Sequence, residues 1–329
     1  MSRRIEPLRT YSHLAPAGGG KGRVPTEYEI VSSNLLYYVG RGFEITVPVT
    51  AWYERYQRQA RLVCSDWERF RDPRETTYTA YTAQQARKEA HLDGLGRSAD
   101  ESAAQPAAAA HRQLVERLLG PLRFPLHGFQ MIAAYVGQMA PGGRITMAAL
   151  FQAADELRRV DRIAQHMGEL RASEPSFGAD GRRAWQEDAA WQPLRRVLER
   201  ALVAWDWGEA LVALDLCLKP FVEGICLDEL GRRARDSHDF LAAEMLASFD
   251  EDGRWHRSWS RALLELAFAD HPANRVVVNE WVGRWHAPAR EAAEACATLV
   301  VGAEGAAAAT ARVQAALGDH LAGLGLVVP

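Results

Sequence analysis

Along this chain the apolar positions recur at the three-to-four-residue interval of an α-helix. No run alternates with the period of two that a half-buried strand needs. Trp52, Tyr53, Tyr56 and Ala60 share one such helical face. Asp72-Pro73 interrupts the pattern, and a helix is predicted from about residue 74 to 92. The stretch 103–110, Ala-rich and broken by Pro106, reads as a connection. Helices are then predicted over 126–139, where Pro141-Gly142-Gly143 stops the pattern, and over 146–170 and 191–205. Another covers 207 to about 234, with a kink at Pro220. Segments 237–249, 255–268 and 274–296 continue the series, and the Ala-rich stretch after Val301 reads as a final helix. With no strand pattern and no repeat of fixed period, the expected class is all-α.

The first fifty residues differ. Gly18, Gly19, Gly20 and Gly22, bracketed by Pro16 and Pro25, cannot sustain a helix, so an extended arm is expected. Residues 26–38 are nevertheless too apolar for a free tail and must lie on something. The division read from the pattern is an arm over 1–50, a helical domain over 51–296 and an Ala-rich segment over 297–329.

Composition narrows the function classes. Of 329 residues 48% are apolar and 25% charged, an ordinary globular balance able to bury a large core. A formal net charge of −3 argues against nucleic acid as a partner. No apolar run reads as long enough to cross a bilayer, and the basic start from Met1 to Pro7 has no apolar stretch behind it, so neither a membrane span nor a signal peptide is expected. Cys64, Cys217, Cys226 and Cys296 form no Cys-x-x-Cys pair, which suits a reducing cytoplasm better than a disulfide or zinc framework.

A large all-α chain invites a test for a two-iron bundle. Such a site takes one Glu from each of two helices and a Glu-x-x-His from each of two others, because residues i and i+3 share a face. None of the ten histidines has an acid three residues before it. Only His256 has one four before, Asp252, and only His166 has one three after, Glu169. Two near misses stand out. Glu156 lies within about 40° of Ala149, Val160, Ile163 and Met167 at 100° per residue, so it points into an apolar face, with Arg159 where a His would be. A Glu156–Arg159 ion pair would fill the space of a metal; the alternative is that Glu156 sits at the helix rim and pairs in solvent. Glu251 with Arg254 has the same spacing, although Asp250 to Gly253 also reads as an acidic helix start or turn. These four are degenerate ligand-like positions, and no catalytic, cofactor-binding or metal residue is expected. Gly20-Lys21-Gly22 is no phosphate loop, and Gly-x-Ser-x-Gly and Gly-x-Gly-x-x-Gly after a strand are missing.

Several stretches together resemble the β (small) subunits of toluene monooxygenase hydroxylases, in the family of bacterial multicomponent, soluble diiron monooxygenases. They are Thr10-Tyr-Ser-His-Leu14, Pro25-Thr-Glu-Tyr-Glu-Ile-Val-Ser32, Ala51-Trp-Tyr-Glu-Arg-Tyr56, Asp66-Trp67, Phe70 and Asp72-Pro73. Ala133-Ala-Tyr-Val-Gly-Gln-Met-Ala-Pro141, Gln152-Ala-Ala-Asp-Glu-Leu-Arg158, Trp191-Gln-Pro-Leu194, Asp206-Trp-Gly-Glu-Ala210 and Lys219-Pro220 follow. The last are His256-Arg-Ser-Trp-Ser-Arg-Ala262, Glu280-Trp281 and Arg284-Trp285. The resemblance covers about residues 8–295. It implies a ferritin-like helical bundle that has lost its iron ligands, packed by an N-terminal arm against a diiron α subunit. It further implies a dimer of αβγ units served by an effector protein, a Rieske 2Fe-2S ferredoxin and an FAD-containing reductase. Such a complex hydroxylates aromatic rings with O2 and NADH. Substrate choice, whether toluene, phenol or an alkene, would belong to the α pocket. Tyr11, Trp52, Tyr56 and Tyr81 are the expected contacts with α. Two other readings stay open: a self-sufficient diiron enzyme with unusual ligands such as Asp215, Glu223, Asp252 and His256, and a helical adaptor with an aromatic docking surface.

Overall fold

The computed structural model describes residues 26–28, 48–101 and 109–327. Tyr11, most of the expected arm and the connection at 102–108 lie outside the described residues. Helix α1 (Pro48–Tyr53) continues as a π-helical turn, Glu54–Arg58, and a 3-10 turn at Trp67–Arg69 leads on. Helices α2 (Tyr78–Glu101), α3 (Ala109–Met139) and α4 (Gly143–Ser173) follow, then the short α5 (Gly181–Glu187) and α6 (Gln192–Ala201). Five abutting segments make α7: Trp207–Leu211, the π-helical Val212–Leu218, Lys219–Val222, the π-helical Glu223–Glu229, and Leu230–Asp236. Helices α8 (Phe240–Asp270) and α9 (Asn274–Gly323) complete the chain. Among the described residues there is no strand, as the all-α expectation requires.

Local chemistry sets several boundaries. Asp206 caps α7, its carboxylate accepting from Gly208 N at 2.9 Å and from Glu209 N at 3.3 Å. Asp239 caps α8 by accepting from Ala242 N at 3.1 Å. Helix α2 starts later than residue 74 because Asp72–Glu75 closes a turn, Glu75 N donating to Asp72 O at 2.9 Å with Glu75 at φ 43°.

Three expectations change for a common reason. Helix α3 runs through Pro121 and Pro125, where the pattern suggested a start at 126. Leu118, Leu119, Leu122, Leu126 and Phe129 are all fully buried, and packing that face outweighs the backbone hydrogen bonds lost at two prolines. Helix α8 is unbroken through Gly253, which read as a turn. A Cβ on Gly253 would stand 2.9 Å from Glu223 Oε2, so the glycine marks a close approach of α8 to α7. Helix α9 bends at Gly302 (φ 78°), and by length and hydropathy it would pass for a membrane span, against the expectation of none. Within its apolar stretch one face, Ala292, Ala293, Cys296, Ala297, Val300, Ala306 and Ala309, is buried against the rest of the protein.

One contiguous apolar core extends from Ala60 to Leu326 and includes the Ala-rich segment after 296. Helices α3 and α4 form an antiparallel pair, α9 lies along α6 and α7, and α8 packs on α2, α4 and α7. The last four of these, α2, α4, α7 and α8, turn polar side chains toward a shared centre.

Candidate functional site

That centre is a buried lattice of charge. From α4 come Gln152, Asp155, Glu156 and Arg159; from α7 come Asp215, Lys219 and Glu223; from α8 come Asp252 and His256; from α2 comes Gln85, and all of them are buried. Asp215, Lys219 and Glu223 recur every four residues on an otherwise apolar helix, and so share one face. π-Helical turns above and below Lys219 adjust that face locally, a device common at functional sites.

Two cations hold the middle. The Lys219 ammonium contacts Glu156 Oε1 and stands 2.9 Å from Glu223 Oε1. Arg159 Nη1 donates to Glu156 Oε2 at 3.1 Å and to Glu223 Oε1 at 2.8 Å, while its Nη2 donates to the Phe249 carbonyl at 2.6 Å. Glu156 is 0% exposed, so the rim alternative falls and the anticipated Glu156–Arg159 pair is present at the heart of the bundle. Arg257 adds a 2.8 Å contact to Glu223 Oε2. Burial works to raise the Glu223 carboxyl, but Lys219, Arg159 and Arg257 together overcome it and hold it at about 2.

A second half adjoins this one. His256 Nε2 lies 3.0 Å from Asp155 Oδ2, and Asp155 Oδ1 accepts from the Tyr81 hydroxyl at 2.7 Å and Gln85 Nε2 at 2.6 Å. Asp252 accepts from Lys88 Nζ and Arg158 Nη2, each at 2.8 Å. Burial, and then the charge of Asp252, push Asp155 up to about 7. Burial also holds His256 well below its ordinary value, with Lys219 and Arg159 adding to the effect, so the imidazole is neutral. Its Nδ1 has no hydrogen-bond partner and faces Glu156 Oε1 at 3.8 Å. Asp215 accepts from Gln152 Nε2 at 2.6 Å, and burial raises its carboxyl to about 7.

Glu156, Glu223 and His256 each present one ligand-type atom, all within 4.8 Å of one another. A metal ion nonetheless does not fit, because the Lys219 ammonium and the Arg159 guanidinium already stand against both carboxylates. A divalent ion would be repelled by both, and its ligands would have to abandon their existing partners.

The other sequence expectations fare unevenly. Glu251 and Arg254 are not in the centre: their side chains are 55% and 63% exposed, pairing with Lys88 and Asp250. Helix α8 buries Asp252 and His256 instead, a face offset by one or two residues. Tyr81 is likewise corrected, since its ring stacks on Phe151 inside this chain and its hydroxyl serves Asp155. Trp52 is 36% exposed and packs on Tyr56 and Trp205, with Nε1 donating to the Tyr135 hydroxyl at 3.2 Å. Lys219 and Asp155 were not singled out as site residues, although the four-residue spacing of Asp215, Lys219 and Glu223 in an apolar run carried the signal.

Acid-bearing helices converging on a buried polar centre define a ferritin-like oxygenase bundle, here with the protein's own cations at the middle. The chain belongs to the Methane/Phenol/Alkene Hydroxylase family, whose sequence profile matches residues 49–271. It is 32% identical over 303 residues to the β subunit of the hydroxylase component of the toluene-4-monooxygenase system of Ectopseudomonas mendocina, covering 90% of this chain and 91% of that one. It is 27% identical to an oxygenase component of phenol 2-monooxygenase from Pseudomonas sp. strain CF600, over 69% of each chain. Among solved structures, a chain of toluene 4-monooxygenase with toluene bound in its resting active site superposes with a TM-score of 0.82 at 32% identity, covering 90% of this chain and 99% of that one. A chain of xenon-pressurized phenol hydroxylase from Pseudomonas sp. OX1 gives 0.83 at 21% identity over 99% and 98%, a likeness of fold. Family membership implies a diiron centre in the complex. The residues of this chain do not fit one.

Proposed function

We propose that this chain is the non-catalytic β subunit of the hydroxylase component of an aromatic-hydrocarbon monooxygenase. The observation that carries the reading is the Lys219 ammonium lodged between Glu156 and Glu223, where an iron-binding relative would need an open cation site. The match to a toluene-4-monooxygenase β subunit over nine-tenths of both chains supports it independently. On this reading the chain shapes and stabilises a dimer of αβγ units, and the diiron centre belongs to α. Oxygen and NADH-derived electrons reach that centre with the help of an effector protein, a Rieske 2Fe-2S ferredoxin and an FAD reductase. Four free thiols suit such a complex in a reducing cytoplasm. The arm of residues 1–50 is proposed to lie on α, continuous with the half-exposed aromatic group of Trp52, Tyr56 and Trp205.

Co-expression with the genes that neighbour its own tests the reading. The chain should co-purify in a stoichiometric complex, and iron and oxygenase activity should follow a different polypeptide. About two irons per copy of this chain when it is purified apart from the other subunits, the usual diiron stoichiometry, would overturn it in favour of a self-sufficient enzyme. Trp52→Ala should weaken association with α, seen as dissociation of the complex on gel filtration at dilute concentration; an intact complex removes Trp52 from the interface.

A further inference from the structure

The outer face of the α3–α4 pair carries a patch that the buried centre does not explain. On α3, Met131, Ala134 and Gln138 fall within about 60° of one another at 100° per residue, and on α4 Leu150, Ala154 and Leu157 do the same. All six are exposed or half-exposed. Met131, Leu150 and Leu157 are 49%, 43% and 44% exposed, although each is a large apolar side chain. A Cβ on Gly137 would stand 3.1 Å from Leu150 Cγ, so Leu150 lies across α3 at that glycine. Because the two helices are antiparallel, Ala154 then comes level with Ala134, and Leu157 with Met131. The result is three apolar knobs around a floor of two alanines. No residue from 131 to 138 or from 145 to 154 is charged, and the first charge on the outer stripe of α4 is Asp161. The patch runs on through Tyr135 to the aromatic group beside it. The Tyr135 hydroxyl accepts from Trp52 Nε1 at 3.2 Å, and its ring stands 5.8 Å from that of Trp205. A contiguous exposed apolar patch marks a binding surface.

We infer that this α3–α4 face is a permanent docking surface for the iron-bearing α subunit, matched by an apolar, uncharged surface on that subunit. The inference rests on the β-subunit reading above. The chemistry of the patch selects its occupant. Partners that come and go, such as the effector protein and the ferredoxin, dock through small, charge-guided contacts. Faces depleted of charge, with Met and aromatic side chains among them, belong to interfaces that stay closed. Continuity with the Trp52 group, which the same reading gives to α, argues for the same subunit. The buried centre serves this surface. Asp155 and Arg159 each lie about 160° round α4 from Leu157, so their contacts with His256 and Glu223 grip the inner face of the helix whose outer face docks. Those contacts fix the rotation of α4, and with it the direction in which Leu150 and Leu157 stand.

The test uses the full-length chain co-expressed with its α and γ partners. Ala154→Glu and Leu157→Glu each set a carboxylate on the patch at an exposed helical position. Each should cut the amount of chain retained with α at least about tenfold, while the variant chain keeps the helical circular dichroism of wild type. Val276→Glu, at an exposed apolar position on α9 outside the patch, should co-purify like wild type. A second measurement needs no variant. In the intact wild-type complex, dilute hydrogen peroxide should convert Met131 to its sulfoxide at least about tenfold more slowly than free methionine, read by mass spectrometry of its peptide. If the Glu variants do not fold, the Met131 rate decides. Full retention of both Glu variants with α, or a Met131 that oxidises as fast as free methionine, overturns the inference. So does pairing with a second copy of this chain through the same face, seen as a dimer that Leu157→Glu makes monomeric while α is retained. A wild-type chain that brings down no α subunit would instead sink the β-subunit reading itself, so the two failures are distinguishable.

Discussion

Glu156 with Arg159 and Glu251 with Arg254 have the same chemistry and the same spacing, one on α4 and one on α8. The first pair is fully buried at the meeting of four helices, and the second stands in solvent. Spacing of i and i+3 makes two residues neighbours on a helix, but it does not say which face the helix buries. On α4 the apolar stripe runs through Glu156. On α8 it runs through Phe249, Asp252, His256 and Trp259, which leaves Glu251 and Arg254 outside. The difference teaches that the same carboxylate–cation spacing gives a buried ion pair on one helix and two exposed side chains that pair with other residues on the other, according to the face alone.

The sharpest way to break this comparison is to remove one cation from each pair. Arg159→Met should cost about 3–5 kcal/mol in urea unfolding, since it strands charge on Glu156 and Glu223 in the interior. Gly253→Ala should cost about 1–3 kcal/mol, because the new methyl must displace the Glu223 carboxylate 2.9 Å away. A cost near zero would mean that α7 and α8 do not approach so closely. Tyr81→Phe removes one donor from Asp155 and should cost about 1–2 kcal/mol while leaving assembly with α intact; the reverse pattern would return Tyr81 to the interface. Arg254→Ala should change stability by no more than about 0.5 kcal/mol. Comparable losses for Arg159→Met and Arg254→Ala would dissolve the distinction between the two pairs.

The two halves of the buried centre differ in a related way. Around Glu223 the cations win over burial, and the carboxyl stays ionised across the ordinary pH range. Around Asp155 burial and a neighbouring carboxylate win, and the group sits near neutrality. Both carboxyls are deep inside the same bundle, so depth alone does not set their state; the identity of the neighbours does.

The helical class and the apolar face of α4 that carries Glu156 were legible in the sequence, because each follows from the period of apolar positions along one element. Missing Glu-x-x-His spacings were equally legible, since they are local. Tertiary structure alone decided that Pro121, Pro125 and Gly253 lie inside helices, because buried faces and a close α7–α8 approach outweigh local propensity there. It alone brought Lys219, Glu223 and His256 to Glu156, residues up to 100 positions apart whose meeting depends on how four helices are rotated against one another. Sequence period fixes which side of a helix is apolar, but only packing determines which polar atoms on those sides share one buried space.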